Sequence, residues 1–283
     1  MVAGRRSGNR HGMTMSIGTS GWQYADWRAV FYPEGVGQRR WLEHYARHFG
    51  TVELNAAFYR PVRRSTFEGW RERTPADFVM AVKASRVITH YRRLSEVEIP
   101  LERTVEAARG LGDKLGPLLI QLPPNLPAEP DRLRAVLELI PDDVRVVVEP
   151  RHESWWTSAV REVLEAKNAA LCWADRLDRP VTPLWRTADW GYLRFHEGTG
   201  EPAPSYHEAV LGGWLDRIDE AWDRDLDVFV YFNNDPGGAA VFDAIRFAGL
   251  ARAAGRPVGR VPRLPDVPAL KPTGTVGDWD TPW

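Results

Sequence analysis

Short apolar segments alternate along the chain with longer segments in which apolar residues recur every three or four positions. The short segments are typical of buried strands, and the longer ones are typical of amphipathic helices that cover them. One helical face carries Trp41, Tyr45 and Phe49, and a later one carries Leu211 and Trp214. The predicted strands cover residues 17–20, 51–55, 78–83, 118–122, 145–149, 170–175, 191–196 and 227–233.

Regular alternation of strands and helices favours a parallel sheet with crossover helices. Eight such units in about 250 residues predict an α/β fold with a single (β/α)₈ TIM-type barrel. An open doubly wound sheet is the alternative, but no Gly-x-Gly-x-x-Gly follows the first strand. We assign the barrel to residues 16–255, a flexible, disordered leader to residues 1–15 and a poorly ordered tail rich in Pro and Gly to residues 256–283.

Composition narrows the class of protein further. The chain has 37 Lys and Arg against 38 Asp and Glu, a balance that gives no overall field to attract a polyanion. No apolar run reaches the roughly 18 residues of a membrane span. A single cysteine, Cys172, cannot form an internal disulfide, and the first 15 residues lack the apolar core of a secretory signal. We therefore expect a cytoplasmic protein that does not associate with membranes.

Polar residues stand at the carboxyl ends of the predicted strands. They are Glu53, Asn55, Lys83, Gln121, Glu149, Asp175, Arg194, His196, Asn233 and Asn234. Structural roles are open to several of them, since Asn233 and Asn234 suit a turn and Arg194 with Glu149 suits a structural ion pair. So many polar strand ends are nevertheless hard to explain by packing alone, and active sites of this barrel lie at the carboxyl ends of the strands. We expect a functional site there.

Alternation along the strands gives the direction of these side chains. Glu53 and Asn55 share one face of their strand, opposite an apolar face with Val52 and Leu54. In the seventh strand, Tyr192, Arg194 and His196 likewise lie opposite Leu193 and Phe195. The apolar faces belong against the helices. The polar side chains are therefore expected to point into the barrel.

Several sequence motifs resemble those of the YecE-like family, number 72 among the domains of unknown function. They are Gly18-Thr19-Ser20-Gly21-Trp22, Val52-Glu53-Leu54-Asn55 with Phe58-Tyr59, Ile88-Thr89-His90, Gln121-Leu122-Pro123-Pro124, Glu149-Pro150-Arg151-His152 and Tyr231-Phe232-Asn233-Asn234. The resemblance spans about residues 16–250 and implies a TIM-type barrel without an established activity. The chain departs from the family pattern at Ala57, where Ser or Thr is usual, and at Glu197, which separates His196 from Gly198.

We predict an enzyme that acts by acid–base chemistry on a small polar or anionic substrate, such as a sugar or a sugar phosphate. Glu53, Glu149, Asp175 and His152 are the candidate catalytic residues, because carboxylates in differing environments can act as acid and base. The candidate substrate-binding residues are Trp22, Tyr24, Asn55, Tyr59, Lys83, His90, Gln121, Arg151, Arg194, His196, Asn233 and Asn234. The reaction class, hydrolase or isomerase and lyase, stays open.

Two other functions remain as alternatives. Similarity to endonuclease IV-like barrels would imply metal-assisted phosphodiester hydrolysis, with Glu149, His152, Asp175 and His196 as ligands. Inward cations such as Lys83 would oppose a metal ion, so no cofactor is predicted and a divalent metal remains the alternative. A non-catalytic protein that binds an anion or nucleic acid is the other alternative, but the near-zero net charge disfavours nucleic acid.

Overall fold

The computed structural model describes residues 14–202 and 204–266. Its strands are β1 (Met15–Thr19), β2 (Thr51–Leu54), β3 (Val79–Lys83), β4 (Leu115–Gln121), β5 (Val146–Glu149), β6 (Ala170–Leu171), β7 (Trp173–Arg176), β8 (Arg179–Pro180), β9 (Gly191–Phe195) and β10 (Val228–Phe232). They form one curled sheet in the order β6-β5-β4-β3-β2-β1-β10-β9-β7-β8. The molecule therefore has a mixed α/β fold, as the alternating pattern predicts.

Helices connect the successive strands from β1 to β6 and from β9 to β10, and none lies between β6 and β9 in the described ranges. They are α1 (Trp41–His48), α2 (Ala56–Tyr59), α3 (Arg64–Glu72), α4 (Glu98–Ala108), α5 (Pro130–Glu138), α6 (Ser158–Lys167), α7 (Glu208–Ala221) and α8 (Ala239–Ala253). A π-helical turn, Val87–Tyr91, follows β3. None of the helices within the described ranges is long and apolar enough to cross a membrane.

Adjacent strands pair in parallel, except for β8. This two-residue strand returns antiparallel to β7 through a tight turn at Leu177 and Asp178, whose φ angles are 54° and 63°. Turns of this hand usually carry Gly or Asn. The sequence therefore gives no local signal for this hairpin, and pattern analysis does not find it.

The predicted strand at residues 170–175 is divided at Cys172. Its first part, β6, pairs with β5, and its second part, β7, pairs with β9. Hydroxyl groups supply hydrogen bonds at the division: Thr187 Oγ1 accepts from Leu171 N at 2.8 Å, and Thr182 Oγ1 accepts from Ala174 N at 2.9 Å. These two bonds replace ladder bonds where the segment changes its neighbour.

Two apolar clusters fill the molecule. The larger lies between the sheet and the helices and includes Val52, Leu54, Leu193 and Phe195, as their parity predicts. The smaller lies on the inner face of the curled sheet. Its members are Val79, Ala81, Leu119, Val147, Ala170, Cys172, Ala174, Ala188, Trp190, Tyr192, Phe229 and Tyr231. These residues mark the inner positions of β3, β4, β5, β6, β7, β9 and β10.

Part of the predicted tail is packed against the amino ends of the strands. Arg256 is buried and ion-pairs with Asp219, and Met15 N donates to Pro257 O at 2.9 Å. Gly50 N donates to Arg260 O at 2.7 Å. Residues 256–261 thus differ from the predicted tail, because they supply acceptors to exposed strand ends. Residues 1–13 of the predicted leader and 267–283 of the predicted tail lie outside the described residues.

Candidate functional site at the carboxyl ends of the strands

Inner-face side chains of several strands meet at their carboxyl ends. Lys83 continues the inner positions Val79 and Ala81 of β3, and Glu149 continues Val147 of β5. In β9, Arg194 has the same parity as the inward Tyr192. Because the strands are parallel, these side chains lie at one end of the sheet. The structure brings together Glu53, Asn55, Lys83, Gln121, Glu149, Arg151, Arg194, His196 and Asn233.

Glu149 is the most heavily bonded residue of this cluster and is fully buried. Its Oε2 accepts from Gln121 Nε2 at 2.8 Å and from Arg194 Nη1 at 2.7 Å. Its Oε1 lies 3.0 Å from His196 Nε2 and 3.4 Å from Arg151 Nε. Burial by itself raises the pKa of Glu149, but the charges of Arg194 and Arg151 outweigh it and hold that pKa well below its usual range. Glu149 is therefore ionised and held in one orientation.

Arg194 links Glu149 to a second buried carboxylate. Its Nη2 donates to Glu53 Oε1 at 2.8 Å and to Ser20 Oγ at 3.2 Å. Ser20 Oγ also donates to Glu53 Oε1, and Tyr192 Oη donates to Glu53 Oε2 at 2.5 Å. Burial opposes the charge on Arg194, but Glu149 and Glu53 raise the pKa of Arg194 well above its usual value. One guanidinium thus bridges two buried carboxylates.

Lys83 lies beside this network in an apolar setting. Its side chain is 8% exposed, and Nζ stands 4.1 Å from the centre of the Phe58 ring. No carboxylate in residues 14–202 or 204–266 lies within ion-pair distance of Nζ. Burial, reinforced by Arg194, lowers the pKa of Lys83 to about 7, with Glu53 and Glu149 acting in the opposite direction. Much of this amine is therefore uncharged near neutral pH.

Two histidines border the cluster. His196 is buried, and burial together with Arg194 lowers its pKa to about 4, so its ring is neutral at pH 7. The neutral ring donates from Nε2 to Glu149, while Nδ1 lies 3.2 Å from Asn233 Nδ2. His90 is half-buried on the π-helical turn, with its ring 5.1 Å from that of Phe58. Burial, with Lys83 and Arg151, lowers the pKa of His90 to about 4.

A third group lies around the end of β1. Tyr24 Oη donates to Ser20 O at 2.5 Å, and Asn55 Nδ2 donates to Ser20 Oγ at 3.1 Å. Burial raises the pKa of Asp235 well above its usual value, while Tyr24 acts in the opposite direction. Ser20, Tyr24 and Asn55 thus continue the network from Glu53 towards the loop after β10.

Asp175 is placed elsewhere, and its expected inward direction is corrected. Cys172 and Ala174 occupy the inner face, so Asp175 points outward among the helices. There Trp214 Nε1 donates to Asp175 Oδ2 at 2.8 Å. Burial raises the pKa of Asp175 to about 6. The segment is apolar on both faces around Asp175, so alternation could not assign its direction from the sequence.

His152 and Asn234 bond to structural groups instead of the cluster. His152 Nδ1 accepts from Ser154 N at 3.2 Å and begins the short 3₁₀ turn Glu153–Trp155. Asn234 Nδ2 donates to Asp243 Oδ2 at 2.7 Å and so faces α8. His152 thus caps a turn and Asn234 bonds to α8, so neither side chain joins the cluster.

Trp22 is buried, whereas Tyr59 is exposed to solvent. Trp22 is 6% exposed and packs edge-on against Trp70 of α3, with ring centres 5.7 Å apart. Tyr59 is 57% exposed and contacts Phe58, with ring centres 5.1 Å apart. Through Phe58, Tyr59 lies close to Lys83 and His90, whereas the contacts of Trp22 join it to the outer core.

Sequence reasoning missed three members of the site. Ser20 joins Glu53, Asn55 and Arg194, and Tyr192 holds the second oxygen of Glu53. Asp235 stands beyond the polar end of β10. Parity pointed to Tyr192, which shares a face with Arg194, but its aromatic ring suggested core packing. Ser20 gave only a weak signal, since a serine after a strand is ordinary turn chemistry.

The chain belongs to the family described as Protein of unknown function DUF72, which it matches over residues 16–268. It is 28% identical over 262 residues to UPF0759 protein YunF of Bacillus subtilis, covering 79% of this chain and 90% of that protein. It is also 28% identical over 147 residues to UPF0759 protein YecE of Escherichia coli K12, covering 52% of each. The resemblance inferred from the motifs is thus confirmed.

A solved structure gives the same result at the level of the fold. The DUF72 family protein TM1631 of Thermotoga maritima superposes with a TM-score of 0.74 at 25% identity, covering 84% of this chain and 99% of that one. A DUF72 family protein of Enterococcus faecalis, EF0366, has a TM-score of 0.69 at 17% identity, covering 84% and 96%. These similarities support the fold. They do not identify a reaction or a substrate.

The departure at Glu197 leaves the site intact. Its carboxylate pairs with Arg176 Nε at 3.0 Å, and its amide donates to Tyr206 Oη at 3.0 Å. His196 still reaches Glu149. The extra carboxylate therefore points away from the cluster.

The donor set does not suit a metal ion. In the described part of the chain, no three side chains of His, Cys, Asp or Glu are arranged to hold one. His196 and Glu149 are adjacent, but arginines occupy both Glu149 oxygens. Asp175 and His152, the other ligands considered from the sequence, face elsewhere.

Proposed function

We propose that the protein is an enzyme that acts by acid–base chemistry on a small polar substrate with an anionic group, bound at the carboxyl ends of the strands. The observation that carries this proposal is the buried, oriented set of charges around Arg194 and Glu149, with an uncharged amine beside it. Such fixed charges stabilise developing charge because they need no reorganisation during the reaction.

We also infer that the strands close into an eight-stranded barrel. In this arrangement β6 and β7 act as one strand, which joins β5 through its first half and β9 through its second half. The β8 hairpin then lies outside the ring. Closure would place the inner cluster and the charged network in one enclosed column, with the network at its mouth.

The charges of the cluster favour an anionic substrate. Glu53 and Glu149 balance Arg151 and Arg194 in pairs. Protonated Lys83 then adds a positive charge that no carboxylate in the described ranges contacts. A phosphate or carboxylate group of the substrate would supply the missing negative charge.

The pKa values divide the roles among these groups. Glu149 stays ionised and His196 stays neutral, so both suit the positioning of Arg194, Arg151 and the substrate. Lys83, with its pKa lowered to about 7, suits proton transfer near neutral pH. This assignment moves the acid–base role from the carboxylates, which the sequence favoured, to the amine.

Anion binding tests the proposal directly. We expect inorganic phosphate and small sugar phosphates to bind the full chain in calorimetric titrations, and Arg151→Met to weaken binding about tenfold, as for loss of one charged hydrogen bond. Arg161→Met is the matched control, since Arg161 lies exposed on α6 and pairs with Glu165. Equal affinity in the Arg151 variant, with phosphate bound elsewhere, would contradict this location for the site.

A further inference from the structure

Two lysines of this chain are equally hidden from solvent but are held in opposite ways. Lys83 and Lys114 are each 8% exposed. Lys114 Nζ donates to Thr74 O at 2.7 Å, Thr74 Oγ1 at 3.2 Å and Arg71 O at 2.5 Å. Three oxygen acceptors match the three N–H bonds of an ammonium group. All three hydrogens of the Lys114 ammonium group therefore have acceptors, although burial lowers the pKa of Lys114 as well.

Lys83 lacks such a cradle. Its Nζ lies 4.1 Å over the Phe58 ring, a contact that favours the ammonium only weakly, and no hydrogen bond or ion pair in the described part of the chain satisfies it. Arg194 lies nearby as a like charge, while Glu53 and Glu149 direct their oxygens to Arg194. This environment favours a neutral amine with a free lone pair, which is the form of lysine that attacks a carbonyl carbon.

We propose that Lys83 is a covalent nucleophile that forms an imine with a small aldehyde or ketone bearing an anionic group. The proposal rests on the function proposed above and specifies its substrate class. The Nζ lone pair attacks the carbonyl carbon, and a C=N bond replaces the C=O bond. The carbonyl oxygen leaves with the two amine hydrogens as one water molecule, so the step consumes no oxidant or reductant.

The neighbours of Lys83 suit this step. Arg151 is partly exposed and lies close enough to affect the titration of both Lys83 and His90, so it can receive the anionic group of the substrate. Besides Arg151 and His90, the titratable groups that face Lys83 are Glu53, Glu149 and Arg194. Protonation of the imine nitrogen would place a positive charge there, which Glu53 and Glu149 would stabilise, as they do for the ammonium form of Lys83.

Reductive trapping tests the proposal on the unmodified full chain. The protein is incubated at pH 7 with glycolaldehyde phosphate and sodium cyanoborohydride, which transfers hydride to the imine carbon and leaves a stable secondary amine. Peptide mass spectrometry then follows each lysine. We expect Lys83 to be alkylated at least tenfold faster than Lys167, which is partly exposed and ion-paired with Asp142, and Lys114 to be the slowest of the three. Alkylation of Lys167 without faster alkylation of Lys83 would overturn the proposal.

The pH profile separates a nucleophilic amine from an accessible one. We expect the alkylation rate of Lys83 to reach half its maximum near pH 7, well below the ordinary lysine pKa of about 10.4. Lys83→Met should remove the fast phase, and Lys114→Met should leave it unchanged. Parallel profiles for Lys83 and Lys167 in the unmodified chain would also overturn the proposal, whether or not a variant folds.

The same experiment distinguishes this proposal from the function on which it rests. Saturable protection of Lys83 by inorganic phosphate, without protection of Lys167, supports both. Phosphate binding without alkylation of Lys83 refutes the imine and leaves the anion site standing. Fast alkylation that phosphate does not slow supports the nucleophile and refutes the anionic substrate.

Discussion

Arg194 is the residue on which the buried charges of the site depend. It is 1% exposed and donates to Glu53 at 2.8 Å and to Glu149 at 2.7 Å. The effect of this guanidinium on stability is not given by the strength of its hydrogen bonds alone. Removing one partner of a buried ion pair leaves the other charge without compensation, which is far more costly than losing a surface pair.

Arg194→Met should therefore destabilise the protein by about 3–5 kcal/mol at pH 7, since it leaves two carboxylates buried. Urea unfolding followed by circular dichroism measures this change. The loss should shrink as pH falls, because Glu149, freed from Arg194, takes up a proton more readily. Arg161→Met should change stability by less than about 1 kcal/mol. A similarly small effect of Arg194→Met would contradict the proposed balance of charges.

Strand parity explains what the sequence revealed of the site and what it left hidden. In β2 and β9 polar and apolar residues alternate, so the inward direction of Glu53 and Arg194 could be predicted. Around Asp175 both faces are apolar, because the inner face there packs Cys172 and Ala174. Contacts that depend on distant loops, such as those of Asp235, leave no local pattern. The strands themselves were predictable because hydrophobic burial fixes their spacing.

Asp175→Asn tests the outward position of this side chain. The folded-state pKa of Asp175 is raised to about 6 from 3.8, so folding favours its protonated form. Its contribution to stability is present below pH 3.8 and is lost as pH rises through 6. The Asn variant, which stays neutral, should equal or exceed the original chain in stability at pH 8, by at most about 3 kcal/mol.

The advantage of the Asn variant should disappear near pH 4, as urea unfolding at the two pH values would show. Phosphate binding should be unchanged, since Asp175 contacts Trp214 on α7 and lies outside the cluster. If the Asp175→Asn variant bound phosphate more weakly, the outward position of Asp175 would be contradicted, and the residue would belong to the site.

At the scale of the whole molecule, the two ends of the sheet differ in the contacts that they make. Charged side chains are concentrated at the carboxyl ends, whereas residues 256–261 cover backbone groups at the amino ends. A cavity of about 500 Å³ remains there, lined in part by Arg145, Asp227 and Arg260. Two of these residues form an ion pair of 2.7 Å, so this end already satisfies its charges. Contacts of the packed segment 256–261 thus lie at the amino ends of the strands, and the candidate site lies at the carboxyl ends.

Two arginines that share Asp219 measure the contribution of the packed segment. Arg256 is 1% exposed and also donates to Trp222 O, whereas Arg224 is 56% exposed and lies 3.7 Å from Asp219. Arg256→Met should lower the free energy of unfolding by about 2–4 kcal/mol, because it leaves buried acceptors unsatisfied. Arg224→Met should lower it by less than about 1 kcal/mol. Equal effects of the two changes in urea unfolding would show that the packed segment, residues 256–261, does not contribute to the free energy of unfolding.

The position of Cys172 at the division of the strand makes this residue a natural probe of local opening. The chain contains one thiol, and it lies fully buried at the point where β6 gives way to β7. A thiol reagent can reach it only when the surrounding structure opens. The rate of Cys172 modification in native buffer therefore records how often the protein opens around this position, without any added label.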